Sequence, residues 1–167
     1  MYYYNYYLTP PTNEIHKMLN LIIEVVRFEA VTELTFDYLK VLAPSKEEKV
    51  LLQKMLDDER EHFKELKRMY YNITGKSAAG DPPVFIRPES YLLAIEKIFY
   101  EKVEIIPLYK KMKKIAPTID MREQISNFIY DELSHLSMLN HILIKSKVTE
   151  RIYDYSSVRS RHLGIYY

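Results

Sequence analysis

A pattern of five residues occurs twice in this chain at a single offset, and it constrains the fold more than any one segment does. Ala43-Pro44 returns as Ala116-Pro117, Asp58-Glu59 as Asp131-Glu132 and His62 as His135, every pair 73 positions apart (from 44 to 117, from 59 to 132, from 62 to 135). A shared offset of that size marks a duplicated supersecondary unit, so the halves are expected to fold alike about a pseudo-twofold axis. Punctuation says what the unit is. Proline and glycine fall only at Pro10-Pro11, Pro44, the stretch from Gly75 to Pro88, Pro107, Pro117 and Gly164, and the segments between them carry apolar residues at helical spacing. Helices are predicted from Thr12 to Ala43, from Lys46 to Tyr71 behind a Ser45…Glu48 capping box, from Glu89 to Ile115 and from Ile119 to Lys147. Connections are short inside each half, and a long crossover (residues 75–83) joins the halves. The expected class is therefore all-α, a four-helix bundle made from a duplicated helical hairpin. Residues 12–147 form its one domain, and the aperiodic, Tyr-rich stretches 1–11 and 148–167 are read as tails.

Composition narrows the function. With 167 residues, 47% hydrophobic and 28% charged, the chain suits one buried core. It contains no cysteine, which excludes disulfides, thiolate metal sites and thiol catalysis. The 24 basic and 23 acidic residues leave a net +1, so composition gives no attraction to nucleic acid or anionic lipid. No apolar run could span a bilayer, and the start lacks the basic region and apolar run of a signal peptide, so a cytoplasmic location is expected, with no nucleic-acid or membrane partner. The tails hold Tyr2, Tyr3, Tyr4, Tyr6, Tyr7, Tyr153, Tyr155, Tyr166 and Tyr167. Exposed tyrosines at this density point to association, as a homo-oligomer (a dimer or larger) or in a spore or other shell; tails folded back on the bundle are the competing reading.

Both Glu59-Arg60-Glu61-His62 and Glu132-Leu133-Ser134-His135 are Glu-x-x-His, a spacing that sets a carboxylate and an imidazole on one helix face, where both can reach one metal. A single copy is ordinary on a solvated helix face. Here the apolar stripe Leu52, Met55, Leu56, Phe63, Leu66, Met69 runs through Glu59 and His62, and Ile125, Phe128, Ile129, Leu136, Leu139, Leu143 surround Glu132 and His135. Both pairs are thus predicted to face inward, where an uncompensated carboxylate costs several kcal/mol and needs a metal or an opposite charge. The first helix brings Glu29 into the same position on the stripe Ile15, Leu19, Ile22, Val25/Val26, Phe36, Leu39, with Glu33 nearer the edge.

The repeat then places Lys102, not a carboxylate, opposite Glu29. Two readings compete. In one, Lys102 occupies the ligand position and its ammonium pairs with the buried carboxylates in place of a metal. In the other, Glu101 serves, on the stripe Ile95, Ile98, Glu101, Ile105, Leu108, Met112, Ile115, with the extra residue absorbed by a kink or π-bulge at Pro107. Periodicity favours Glu101, because the alternative stripe through Phe99, Ile106 and Tyr109 carries a second lysine, Lys113.

With Glu29-Ala30, Ala43-Pro44, Asp58-Glu59-x-x-His62 and the echo Asp131-Glu132-x-x-His135, the stretch from about Thr12 to Lys147 resembles the ferritin-like superfamily, most closely its rubrerythrin-like branch. The resemblance implies a carboxylate-bridged pair of iron ions, manganese being compatible with the same ligands. Glu59 and Glu132 would bridge, Glu29 and the third-helix Glu101 would be terminal ligands, and His62 and His135 would each bind one ion. Asp58 and Asp131 would accept the histidine N–H groups. The implied chemistry is oxidation of the metal pair by peroxide or O2, of peroxidase or ferroxidase type, with no catalytic residue beyond the ligands. Lacking cysteine, the chain has no rubredoxin-type site and would need an external electron donor. An iron-storage role and a metal-free structural bundle are the alternatives. Tyr38, Tyr109 and Tyr130 lie on or beside core helices, where they could relay or absorb oxidising equivalents, and read first as amphipathic core residues; His16, His141 and His162 read as surface residues.

Overall fold

The computed structural model describes residues 12–78 and 83–162, and within them four helices form a bundle: α1 (Thr12–Leu42), α2 (Lys46–Thr74), α3 (Tyr91–Ile115) and α4 (Ile119–His162). α1 packs against α2 and α3, and α4 against α3 and α2, so each hairpin pairs along its length and the two hairpins close on each other. No helix among the described residues is long and apolar enough to cross a membrane.

Local chemistry sets the helix ends. The Ser45 hydroxyl accepts the Glu48 N–H at 3.2 Å and donates to the Glu48 carboxylate, closing the expected capping box. α2 runs one turn beyond its expected end to Gly75, whose left-handed backbone (φ 68°) lets its N–H reach the Tyr71 carbonyl at 2.7 Å. Ser90 caps α3 in the same manner as Ser45 caps α2, so α3 starts two residues later than the sequence suggested. The chain entering α3 is tied to the first hairpin: Phe85 packs on the Tyr38 ring of α1 with centroids 5.5 Å apart, and the Tyr91 hydroxyl donates to Glu48 at 2.8 Å.

Two expectations need correction. α3 is a regular helix straight through Pro107, without a bulge. α4 continues to His162, through residues expected to be tail, because neither proline nor glycine interrupts the chain between Pro117 and Gly164. The N-terminal tyrosines (Tyr2, Tyr3, Tyr4, Tyr6, Tyr7), Tyr166 and Tyr167 lie outside the described residues, as do the side chains of Tyr153, Tyr155 and His162.

Two apolar clusters fill the bundle. One gathers Met18, Ile22 and Val25 with Leu66, Met69, Ile105, Tyr109, Met112, Ile125 and Phe128. The other gathers Phe36 and Leu39 with Leu52, Met55, Leu56, Ile95, Ile98, Leu139 and Ile142. Between them lies a layer of buried charge.

Candidate metal centre

Every helix contributes to that layer: Glu29 from α1, Glu59 and His62 from α2, Lys102 from α3, Glu132 and His135 from α4, none more than 2% exposed. The positions follow from the repeat. Residues 29 and 102 sit at mid-helix in the first helix of each hairpin, and the Glu-x-x-His pairs at mid-helix in the second, so a pseudo-twofold arrangement brings all six to one level.

Lys102 is the hub. Its Nζ lies 2.5 Å from Glu59 Oε1, 3.0 and 3.2 Å from the two Glu132 oxygens and 3.9 Å from Glu29 Oε2. Burial disfavours an ammonium, but the charges of Glu132 and Glu59 and the bonds to them outweigh that cost and hold its pKa above the ordinary lysine value. The reciprocal effect appears at Glu132, where burial opposes ionisation and Lys102, His135 and His62 together hold the carboxyl well below the usual range.

The expectation that Glu101 faces this centre is therefore overturned. Glu101 lies on the rim, 3.6 Å from Lys97 one turn earlier, and burial raises its pKa despite that partner. In a regular helix the adjacent residue is rotated by about 100°, so with no bulge at Pro107 only one of the two can point inward. The buried stripe of α3 is Ile95, Ile98, Lys102, Ile105, Ile106, Tyr109 and Met112. It shares four apolar positions with the expected stripe and differs where Lys102 and Tyr109 replace Glu101 and Leu108. The 30-residue spacing from Lys102 to Glu132 equals that from Glu29 to Glu59, so the strict repeat was the better guide.

The histidines turn Nδ1 inward and Nε2 outward, and they pair across the bundle. His62 on α2 places Nε2 3.2 Å from Asp131 of α4, and His135 on α4 places Nε2 3.0 Å from Asp58 of α2. The aspartates thus meet the histidine nitrogens as expected, each serving the motif of the other half. His62 Nδ1 lies 3.5 Å from Glu132 and 4.0 Å from Glu29, and His135 Nδ1 lies 3.2 Å from Glu59. Burial works against an imidazolium at both positions. For His62 the bonds to Asp131 and Glu132 and the charges of Glu59 and Glu132 outweigh it, raising the pKa to about 9; for His135 Glu132 and Glu59 do the same, again to about 9.

Tyr109 completes the centre through a bond to Glu29 that the sequence did not announce. Its hydroxyl donates to Glu29 Oε1 at 2.6 Å, while burial and the charges of Glu132 and Glu59 keep the phenol protonated far above its usual range. The signal was present in the offset, since Tyr109 stands where the first half has Phe36. Elsewhere Glu33 is bonded to Arg60 at 2.9 Å, Tyr130 is exposed, His16 is exposed, and His141 meets Glu47 at the surface, 3.2 Å away.

Five buried side-chain atoms at the centre make no well-aligned hydrogen bond: Glu29 Oε2, Glu59 Oε2, Glu132 Oε2, His62 Nδ1 and His135 Nδ1, although Glu132 Oε2 is ion-paired with Lys102 and the imidazole nitrogens lie near Glu132 and Glu59. Ligand atoms of Glu29, Glu59, His62 and Glu132 all lie within 4.8 Å of one another, the spread of donors around one cation. The cluster is consistent with a metal site.

No protein-family model matches the sequence, and no curated protein is similar to it. Among solved structures the chain is similar to the crystal structure of a ferritin-like, diiron-carboxylate protein from Bacillus anthracis str. Ames, with a TM-score of 0.70 and 16% identity over 80% of this chain and 99% of that one. The fold is ferritin-like. At that identity the likeness concerns backbone architecture, and the chemistry of the ferritin-like bundle described here rests on its own buried residues.

Proposed function

We propose that this ferritin-like protein binds a redox-active transition metal, iron or manganese, at the buried centre and reduces peroxide or O2 with electrons from a separate donor, as in the rubrerythrin-like branch. The observation that carries the reading is the set of inward-turned carboxylate oxygens and imidazole nitrogens that make no hydrogen bond even beside Lys102, and which a bound cation would engage. Glu29, Glu59, His62 and Glu132 would hold it. Carboxylates and imidazoles suit iron and manganese in either of their common oxidation states, and such an ion supplies the redox chemistry that no side chain here provides.

The chain's own groups prepare that site. Asp131 and Asp58 accept the Nε2–H of His62 and His135, which leaves each Nδ1 lone pair facing inward when the ring is neutral. Tyr109 engages one oxygen of Glu29 and leaves the other free. The apolar clusters above and below exclude water, while a groove of about 360 Å³ between α2 and α4, walled by Asp58, His62, Gln124, Asn127 and Asp131, gives a small oxidant a polar approach. Reduction of peroxide to water consumes two electrons and two protons, so the donor must be external.

Titration with Fe(II) under anaerobic conditions, followed by peroxide or O2, tests this. Near-ultraviolet absorption should rise, faster with peroxide than with dissolved O2. A folded protein that retains neither iron nor manganese would refute it. A second reading, a bundle that serves as a metal-free assembly component, is favoured by the pairing of Lys102 with all three glutamates, and the same null result would identify it.

A further inference from the structure

We propose that Lys102 occupies the place of a second metal ion, so that this centre takes one divalent ion per chain, bound by Glu29, Glu59, His62 and Glu132, with the lysine ammonium as its permanent neighbouring cation. The inference rests on the metal-binding reading above and departs from the two-iron centre that the sequence motifs suggest.

Position is the first ground. Lys102 stands at the repeat equivalent of Glu29, where a two-ion site needs its fourth carboxylate, and it is only 1% exposed. It shares the buried stripe of α3 with Ile98, Ile105 and Ile106, so it cannot swing to solvent without repacking the helix.

Bonding is the second. The ammonium has three donors, and three carboxylates surround it, at 2.5 Å (Glu59), 3.0 Å (Glu132) and 3.9 Å (Glu29). Glu59 Oε1, the oxygen closest to Nζ, is also the one 3.2 Å from His135 Nδ1. The donors of the second half thus converge on a place already held by nitrogen. Glu29 Oε2, the carboxylate oxygen set back at 3.9 Å from Nζ, and His62 Nδ1 are fully buried without a hydrogen bond, and with Glu59 and Glu132 these residues gather ligand atoms within 4.8 Å.

Charge is the third. With both imidazoles neutral, the three buried glutamates carry −3, which one divalent ion and one ammonium neutralise; a second divalent ion would then leave the layer at +2 in an apolar interior. A conventional two-ion layer reaches balance with four carboxylates, and this chain has exchanged the fourth for a cation. The matched exchange at the next buried level fits the same account. Tyr109 supplies a donor to the carboxylate Glu29, whereas its repeat equivalent on α1, Phe36, carries no hydroxyl.

The test is metal stoichiometry of the full chain, by elemental analysis after anaerobic Mn(II) loading and gel filtration, with the Mn(II) electron paramagnetic resonance spectrum as a second readout. The wild type should hold one ion per chain, with the six-line signal of an isolated ion. Lys102→Glu should hold two, with the broadened signal of a coupled pair. The histidines give a check that does not depend on that variant folding: His62→Ala should lose the ion, whereas His135→Ala should keep it. Two ions in the wild type, or equal loss of one ion in both histidine variants, would overturn the inference while leaving the metal-binding function intact. No ion in a folded wild type would overturn the function itself, and the inference with it.

Discussion

The two halves of the bundle share a backbone plan and most of a core, yet differ at several buried positions, two of them in the centre itself. Ile22, Val25, Leu39, Leu52, Met55, Leu66 and Met69 of the first half have apolar counterparts at Ile95, Ile98, Met112, Ile125, Phe128, Leu139 and Ile142, all buried. Glu59 and His62 meet their like in Glu132 and His135. At the centre Glu29 is answered by Lys102 and Phe36 by Tyr109, and away from it buried Thr32 is answered by Ile105 and Glu48 by Met121. A duplicated hairpin can keep its packing while its centre changes chemistry, because the apolar layers above and below carry the fold and the charged layer needs only to balance.

The largest expected effect exercises what the halves have in common. Each contributes a histidine whose pKa is raised from 6.5 to about 9. A raised pKa stabilises the fold fully below the unfolded value and loses that contribution as pH climbs through the folded one. The metal-free protein should therefore weaken between about pH 6.5 and pH 9, by about 3 kcal/mol for each histidine. Glu132, shifted downward, sets the acid side: its contribution is present above pH 4.5 and declines as pH falls below that. Urea melts of chelator-treated protein across this range should give a stability plateau between about pH 4.5 and 6.5. A curve that keeps rising from pH 6.5 to 9 would mean that the imidazoles are neutral without metal.

Lys102→Met asks what the unlike pair is worth. Removing the cation leaves three carboxylates short of a partner, and the metal-free variant should lose about 3–5 kcal/mol. Divalent metal should return part of that stability, since ligand binding to the native state adds to it. Retention of wild-type stability without metal would show that the carboxylates do not depend on Lys102.

A smaller change tests the second unlike level. Tyr109→Phe makes the two halves alike at this position and removes the bond to Glu29, at a cost of about 1.5–3 kcal/mol. Thermal melts would measure it, and the loss should shrink in Glu29→Gln, where the acceptor is no longer charged.

The smallest effect is expected at Glu101. Glu101→Gln removes a rim pair with Lys97 at 3.6 Å and should change stability by less than about 1 kcal/mol and metal content not at all. A lost ion in that variant would return Glu101 to the centre and contradict the position of Lys102.

Much of the site was legible in the chain, because its motifs combine a repeat with helical spacing. The offset placed Glu59, His62, Glu132 and His135, and the apolar stripe placed Glu29; the structure buries all five. Periodicity failed on α3 because two neighbouring stripes share Ile95, Ile98, Ile105 and Met112, and the residues that separate them, Lys102 and Tyr109, look polar enough for the surface. Hydrophobicity weighs a residue by itself, and neither of these is buried by itself. Lys102 is inside because three carboxylates are there, and Tyr109 because Glu29 accepts its hydroxyl.

The sequence by itself determined four helices, the Ser45 cap, the duplicated hairpin and a charged level between apolar ones, since each depends on local spacing or on the repeat. Only the tertiary structure decided which residue of α3 turns inward, and that each histidine is met by the aspartate of the opposite half. Those outcomes belong to pairs of residues 30 to 80 positions apart, whose interaction is worth most where water is excluded, and the chain creates that environment only when the two hairpins close on each other.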